Sequence, residues 1–175
     1  MVWSIIPLLL ICLVIAGIAG SCAWGFGDAA NEQKVPTFNS EAAFTADARS
    51  MPFPIREPAV PAEWQSNSGS TNTVGTSLAS NVGWITENGT FVQLTQTAGP
   101  EVSLVPMLGG EGVMGTGTTD VAGTTWVTYD NPEGDRTVWV TDLGDVRIGL
   151  LGRGIDPPLA TLAEAVQKAQ PLPKP

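Results

Sequence analysis

The first 27 residues contain no charged side chain, whereas the rest of the chain carries all 8 Lys and Arg and all 17 Asp and Glu residues. Residues 3–24 would form an apolar α-helix about 33 Å long. That length crosses the hydrocarbon core of a bilayer, and Trp3 and Trp24 fall at the interfaces that tryptophan prefers. The sequence therefore predicts a transmembrane anchor over residues 1–27, in contact with membrane lipids.

The charges that flank this segment set its expected orientation. No Lys or Arg precedes it, and Asp28 and Glu32 come before Lys34 on its far side. Because cytoplasmic flanks favour Lys and Arg, the acidic far side is expected outside the cell. We therefore expect a single-pass protein of the cell membrane, with a cytoplasmic N-terminus and an extracytoplasmic C-terminal domain.

A second interpretation of the segment is a lipoprotein-type signal. Small residues precede the cysteine in Ala19-Gly20-Ser21-Cys22, as they do at a bacterial lipidation site. In this alternative the segment is cleaved and Cys22 is lipidated. The missing positive n-region and the apolar run that continues to the cysteine favour the uncleaved anchor.

Small residues recur at four-residue spacing along the same segment, at Ala16, Gly17, Gly20 and Ser21. Such spacing lets a second helix approach closely inside a membrane, so these residues are candidates for packing against a membrane-protein partner. The competing interpretation is the Ala and Gly content that signal-type segments often have near their ends.

The residue types that the chain lacks exclude several kinds of catalytic and metal site. The chain has no histidine, and its two cysteines, Cys12 and Cys22, both lie in the N-terminal segment. Ser-His-Asp and Cys-His sites are therefore excluded, as is the commonest protein ligand of zinc, copper and iron. A net charge of -9 repels phosphate backbones, so nucleic acid is not an expected partner. We expect no enzyme activity, no catalytic or metal-ligating residues and no cofactor.

Residues 28–63 are expected to form a linker, a short helix and a proline-rich strap. Ser40 stands where it could cap a helix over residues 41–51, with Phe44 on the apolar face of that helix. Four prolines then force an extended path that cannot join the interior of a sheet, at positions 52, 54, 58 and 61.

Residues 64–175 are expected to form a domain of short strands between turns. Strands at 76–86 and 90–97 flank Glu87-Asn88-Gly89, a strong hairpin signal. Three consecutive antiparallel strands are predicted at 124–130, 136–142 and 146–152. A closing helix is expected after Asp156, which stands before two prolines as a cap would.

Residues 98–123 are the part of this domain whose secondary structure is hardest to predict from the sequence. Residues 102–108 could be one helical turn or a buried strand, and residues 109–117 are expected to be a flexible glycine-rich loop. The order of elements predicts an α+β fold, with a small antiparallel sheet covered by helices and preceded by one transmembrane helix.

Four tryptophans are the candidate contacts of the domain with a ligand or partner: Trp64, Trp84, Trp126 and Trp139. They could line a lipid or glycan pocket. Large aromatic residues on the strands of a small domain more often form its core, and we favour that interpretation.

Carboxylates around two turns of neighbouring strands are the best remaining candidates for a hydrolytic or calcium site: Asp130, Glu133, Asp135, Asp142 and Asp145. Acidic residues are also ordinary in solvated turns, and their spacing does not match a calcium loop. We therefore expect these side chains to be solvated.

Several segments together resemble the actinobacterial proteins of the domain of unknown function 4245 family. They are the apolar N-terminal span, Val35-Pro36-Thr37, Pro52-Phe53-Pro54 leading to Pro61 and Trp64, Gly83-Trp84 running into Asn88-Gly89-Thr90, Gly123-Thr124-Thr125-Trp126, and the helix after Gly152. The resemblance covers nearly the whole chain. It implies a single-pass protein of the cell envelope and implies no activity.

These observations lead to one main functional hypothesis. We expect a non-enzymatic single-pass membrane protein whose extracytoplasmic interaction domain serves as an accessory subunit of a larger membrane complex, a respiratory assembly being one example. The alternative is an envelope protein that binds a lipid or a glycan.

Overall fold

A seven-stranded antiparallel sheet with three helices makes up the part of the chain that the computed structural model describes, residues 38–174. This confirms the predicted α+β fold built on an antiparallel sheet. The predicted anchor, its small residues and Cys22 lie outside the described residues. Within residues 38–174, no helix combines the length and the apolar character that crossing a bilayer requires.

The sheet consists of two meanders that meet at its centre. Helices α1 (Ser40–Ser50), α2 (Glu101–Gly109) and α3 (Leu159–Lys168) accompany it. The strands are β1 (Gln65–Val74), β2 (Ser77–Ile85), β3 (Phe91–Thr97), β4 (Met114–Val121), β5 (Thr124–Asp130), β6 (Arg136–Asp142) and β7 (Arg147–Arg153). Their spatial order is β1-β2-β3-β7-β6-β5-β4. The first meander, β1–β3, thus joins the second, β4–β7, through the pairing of β3 with β7, and β1 and β4 are the edges.

One face of the sheet packs against α1 and α3. At the central pairing, Leu94 lies opposite Leu150, and Gln96 lies opposite Ile148. All four side chains are fully buried. Because side chains alternate along a strand, every second residue of β2, β3 and β7 points into this core. Helix α1 adds Phe44 and Ala48, and α3 adds its inward stripe, Leu159, Leu162, Ala163 and Val166.

Within residues 38–174, the helix that packs against the other face is α2. Leu104 and Leu108 of this helix lie on Gly149 of β7, where an added Cβ atom would come within 2.7 Å of Leu108 Cδ1. The glycine therefore allows the helix to approach the sheet backbone closely. Val138 and Val140 of β6 are fully buried in the same cluster.

The proline-rich segment after α1, residues 52–61, is called the proline strap below. It pairs with the C-terminal tail, residues 169–174, because the Leu172 N–H donates to the Ile55 carbonyl over 2.8 Å. Phe53 and Ile55 are buried in the core beneath α1 and α3. The strap and α1 therefore share one core with the sheet.

A buried side-chain amide fixes the strap to the sheet. The Gln96 Oε1 atom accepts from the Arg56 N–H over 2.8 Å, and Gln96 Nε2 donates to the Arg56 carbonyl over 2.9 Å. The Arg56 guanidinium forms an ion pair with Asp145 over 2.9 Å and donates to the Ala169 carbonyl. The strap is thus hydrogen-bonded on one side to β3 and on the other to the tail.

The predicted hairpin β2–β3 is confirmed, and so are the three consecutive strands β5, β6 and β7, the last of which is displaced by one residue. Both predicted helix caps are wrong. Asn39 caps α1, since its side chain accepts from the Ala42 N–H, and Ser40 is the first helical residue. Pro158 precedes α3 without a side-chain cap, because Asp156 has φ +50° and forms the turn before the prolines.

Helix α2 and strands β1 and β4 lie in stretches that the sequence analysis left open or assigned wrongly. Residues 102–108 lie within helix α2. The expected glycine-rich loop at 109–117 is wrong in its second half, because β4 begins at Met114 and pairs with β5 around a bulge between Gly115 and Gly117. Strand β1 was not predicted, since its sequence has no apolar alternation.

Candidate interaction surface

A surface groove of about 420 Å³ lies between the proline strap and the outer face of α3. Since the inward stripe of α3 is buried in the core, the residues between those positions face this groove. The groove is lined by Glu57, Ala59, Val60 and Pro61 of the strap and by Thr161, Glu164, Ala165, Lys168 and Ala169 of α3 and the tail.

The strap side of the groove is held in shape by its prolines. Pro58 is buried, and the Trp64 N–H donates to the Pro61 carbonyl over 3.0 Å, which closes a turn at the end of the strap. A proline has a fixed φ and donates no backbone hydrogen bond, so this wall of the groove is stiff. Val60 packs against the core from the same wall.

The polar lining of the groove leaves one carboxyl, that of Glu57, without an ion pair among the described residues. Burial raises the pKa of the Glu57 carboxyl above its usual value, and the negative charge of Glu41 on α1 raises it further. Glu164 forms an ion pair with Lys168 over 2.5 Å, whereas Glu57 makes no ion pair within residues 38–174. The groove therefore combines small apolar side chains with one uncompensated carboxyl, which suits a partner that offers apolar groups and a basic group.

A second groove of about 290 Å³ lies between α1 and the C-terminal tail. Its walls are Thr45, Ala48 and Arg49 of α1 together with Leu172 and Pro173 of the tail. Both grooves are on the side of the molecule that α1, the strap and α3 cover.

The structure places the four candidate tryptophans together, in or against the core on the α1 and α3 side of the sheet. Trp64, Trp84 and Trp126 are 9%, 2% and 0% exposed, and half-buried Trp139 packs against the same cluster. The Phe44 ring stacks on Trp84 with the ring centroids 6.3 Å apart. Their role as ligand or partner contacts stays a prediction, and Trp139 retains the most surface for it.

The candidate carboxylates do not form one cluster. Asp130, Glu133 and Asp135 belong to the β5–β6 connection, whereas Asp142 and Asp145 belong to the β6–β7 turn at the opposite end of β6. The predicted order of three antiparallel strands already implies this separation, because successive turns of a meander lie at opposite ends of its middle strand.

Most of these carboxylates have a structural partner. Asp142 forms an ion pair with Arg147 over 2.5 Å, and Asp145 forms one with Arg56. Asp130 accepts from the Thr137 hydroxyl over 2.8 Å. Within residues 38–174, no three Asp, Glu, Cys or His side chains are grouped as metal ligands would be.

The family model described as protein of unknown function (DUF4245) matches residues 1–166. The chain belongs to this family. The resemblance to DUF4245 proteins predicted from the sequence is therefore confirmed. The match spans the whole sheet and all but the last two residues of α3 in this DUF4245 protein. Comparison with curated proteins and with solved structures gave no significant match.

The groove residues of this DUF4245 protein were missed by the sequence reasoning, although two signals pointed to them. The prolines at positions 58 and 61 predicted an extended segment laid over the domain, and the inward stripe of α3 left Ala165 and Lys168 facing outward. What the sequence could not supply was that these two segments lie side by side.

Proposed function

We propose that this DUF4245 protein is a non-enzymatic, single-pass protein of the actinobacterial cell envelope whose extracytoplasmic α+β domain binds a protein partner. In this proposal it is an accessory subunit of a larger membrane complex, of which a respiratory assembly is one example. The uncharged segment of residues 1–27 would anchor it, with its N-terminus in the cytoplasm.

One observation carries the proposal: the side chains best suited to ligand binding or catalysis are engaged in holding the fold. Trp84 and Trp126 are buried in the core, and Asp142 and Asp145 are paired with arginines across the structure. The groove between the strap and α3, by contrast, presents side chains that the core does not use. An apolar centre with a polar rim is the general arrangement of a protein contact.

The test compares the same substitution at two positions of α3. Ala165 lines the groove, and exposed Ala160 lies on the same helix outside the groove lining. In Ala165→Arg the long side chain fills the groove, so partners recovered with the tagged full-length chain from native membranes should fall at least about tenfold, as expected for the loss of a central contact. Ala160→Arg should recover them as the wild-type chain does.

Native mass spectrometry of the same preparations gives the second readout. Equal recovery from both variants would remove the groove from the proposal. A wild-type chain that carries a lipid or glycan mass and no protein partner would replace the proposed function with the alternative of an envelope binding protein. Matching thermal unfolding curves for the two variants are needed to show that both remain folded.

A further inference from the structure

Strand β1 is an edge strand of the sheet. Among residues 38–174 its strand partner is β2 alone, and it is ten residues long. Residues 68–73 are consecutively exposed. Phe38 lies against the first half of this strand, since its N–H donates to the Ser66 carbonyl over 3.0 Å and its ring lies over Gly69.

The two edges of the sheet differ in how they are protected. Natural edge strands avoid pairing with other chains through charged side chains, prolines, bulges or short length. The edge strand β4 contains Asp120 and has a glycine bulge in its first half. Strand β1 contains no charge and no proline, and its bulge is confined to its start, between Ser66 and Ser68. Among the residues that the structure describes, none of these devices therefore protects the remainder of β1.

Charge also singles out this edge. Residues 64–86, which contain β1 and β2, carry no Asp, Glu, Lys or Arg, and no other stretch of residues 38–174 without a charge is as long. With a net charge of -9, two copies of the chain repel each other wherever their acidic surfaces meet. The β1–β2 hairpin is the part of the domain where two copies can approach with the least repulsion.

We propose that two copies of this chain associate by pairing β1 with β1, antiparallel and around a two-fold axis, so that the two seven-stranded sheets become continuous. A two-fold axis presents the same edge to itself, which an uncharged strand of Ser, Thr and Asn tolerates. The occupant of the edge is thus a second copy. This interface uses residues other than those of the proposed partner groove and goes beyond the proposed function.

The test uses matched pairs of lysines at the two edges. Thr71 and Thr73 are exposed on β1, and Thr116 and Thr118 are exposed on β4. The variants Thr71→Lys/Thr73→Lys and Thr116→Lys/Thr118→Lys change the net charge equally. Lysines on paired β1 strands would face their own copies, so only the first variant should weaken association, by at least about tenfold in the dissociation constant.

The measurements are the mass of the full-length chain in detergent by sedimentation, over a range of concentrations, and hydrogen exchange of the β1 amides. We expect a dimer for the wild-type chain and the β4 variant, a monomer for the β1 variant, and faster exchange at residues 70–74 in the β1 variant alone. Equal urea midpoints for the two variants would show that the loss of association and the faster exchange in the β1 variant do not reflect unfolding.

Three results would overturn the proposal. The first is a wild-type chain that is monomeric at every concentration. The second is a dimer that persists in the β1 variant, since association would then lie elsewhere in the chain. The third is a monomer whose β1 amides are protected, because the edge would then be occupied by the chain's own N-terminal segment.

Discussion

The substitution Gln96→Leu should destabilise the domain severely, because it removes both hydrogen bonds that fix the strap to the sheet. The Gln96 side chain is fully buried, and it serves the N–H and the carbonyl of Arg56 over 2.8 and 2.9 Å. A buried polar group left without its partner costs about 1–3 kcal/mol, so two such groups cost about 2–6 kcal/mol. The total free energy of unfolding of a domain is typically only about 5–15 kcal/mol.

Urea unfolding measures this loss. With a slope of about 1–3 kcal/mol per molar, a loss of about 3 kcal/mol lowers the urea midpoint by about 1–3 M. Hydrogen exchange adds a local readout, because the Leu172 N–H is bonded to the Ile55 carbonyl of the strap and should exchange faster when the strap is released.

Gln93→Leu is the matched control, with the same residue type on the same strand but on the opposite face of the sheet. The Gln93 amide is half-buried and donates to Asn81 Oδ1 over 3.3 Å and to Thr95 Oγ1 over 3.1 Å. Water can replace part of these bonds, so its loss should cost below about 1 kcal/mol. If Gln96→Leu were no more destabilising than Gln93→Leu, the strap would not depend on the buried amide and the reasoning would be refuted.

Two further predictions concern the aromatic residues. Trp126→Ala should cost about 3–5 kcal/mol, because the side chain is fully buried, whereas Trp139→Ala at a half-buried position should cost clearly less; equal urea midpoints would contradict this. The pKa of Tyr129 is raised to about 12, mainly by burial. The hydrogen bond that the Tyr129 hydroxyl donates to Glu101 and the negative charge of Glu101 add to this rise. The pKa of Tyr129 in the folded protein lies above the ordinary value of 10.0, so the un-ionised hydroxyl favours the folded state. This stabilisation is complete below pH 10 and is lost between about pH 10 and 12. Stability measured across that range should therefore fall less in Tyr129→Phe than in the wild-type chain, and identical pH profiles would show that Tyr129 is not responsible.

The elements that the sequence predicted well are those whose signals are local. The β2–β3 hairpin follows from Asn88-Gly89 between apolar strands, and Gly89 has the positive φ, 76°, that such a turn requires. Strands β5 and β6 are short runs rich in Thr, Val and aromatic residues, TTWVTYD and RTVWVTD, and these residue types favour strands. Both signals are contained within fewer than ten residues.

The elements that were missed have no local signal. Strands β1 and β4 are rich in Gly, Ser and Thr, and most of their residues are exposed, so no apolar pattern marks them. Each becomes a strand because a neighbouring strand offers it a row of backbone hydrogen bonds. The helix caps were missed for a similar reason, since a cap depends on backbone geometry that one residue of displacement changes.

The sequence by itself determined the separation of an uncharged N-terminal segment from an acidic domain, the absence of histidine and thiol chemistry from that domain, and the family. These depend on which residues are present and in what order. The tertiary structure alone decided that Trp126 is fully buried while Trp139 keeps part of its surface, and that the strap lies beside α3 to form a groove. Such facts depend on contacts between residues far apart in the chain, here between residues 57–61 and 161–169, and no local pattern encodes which distant segments will meet.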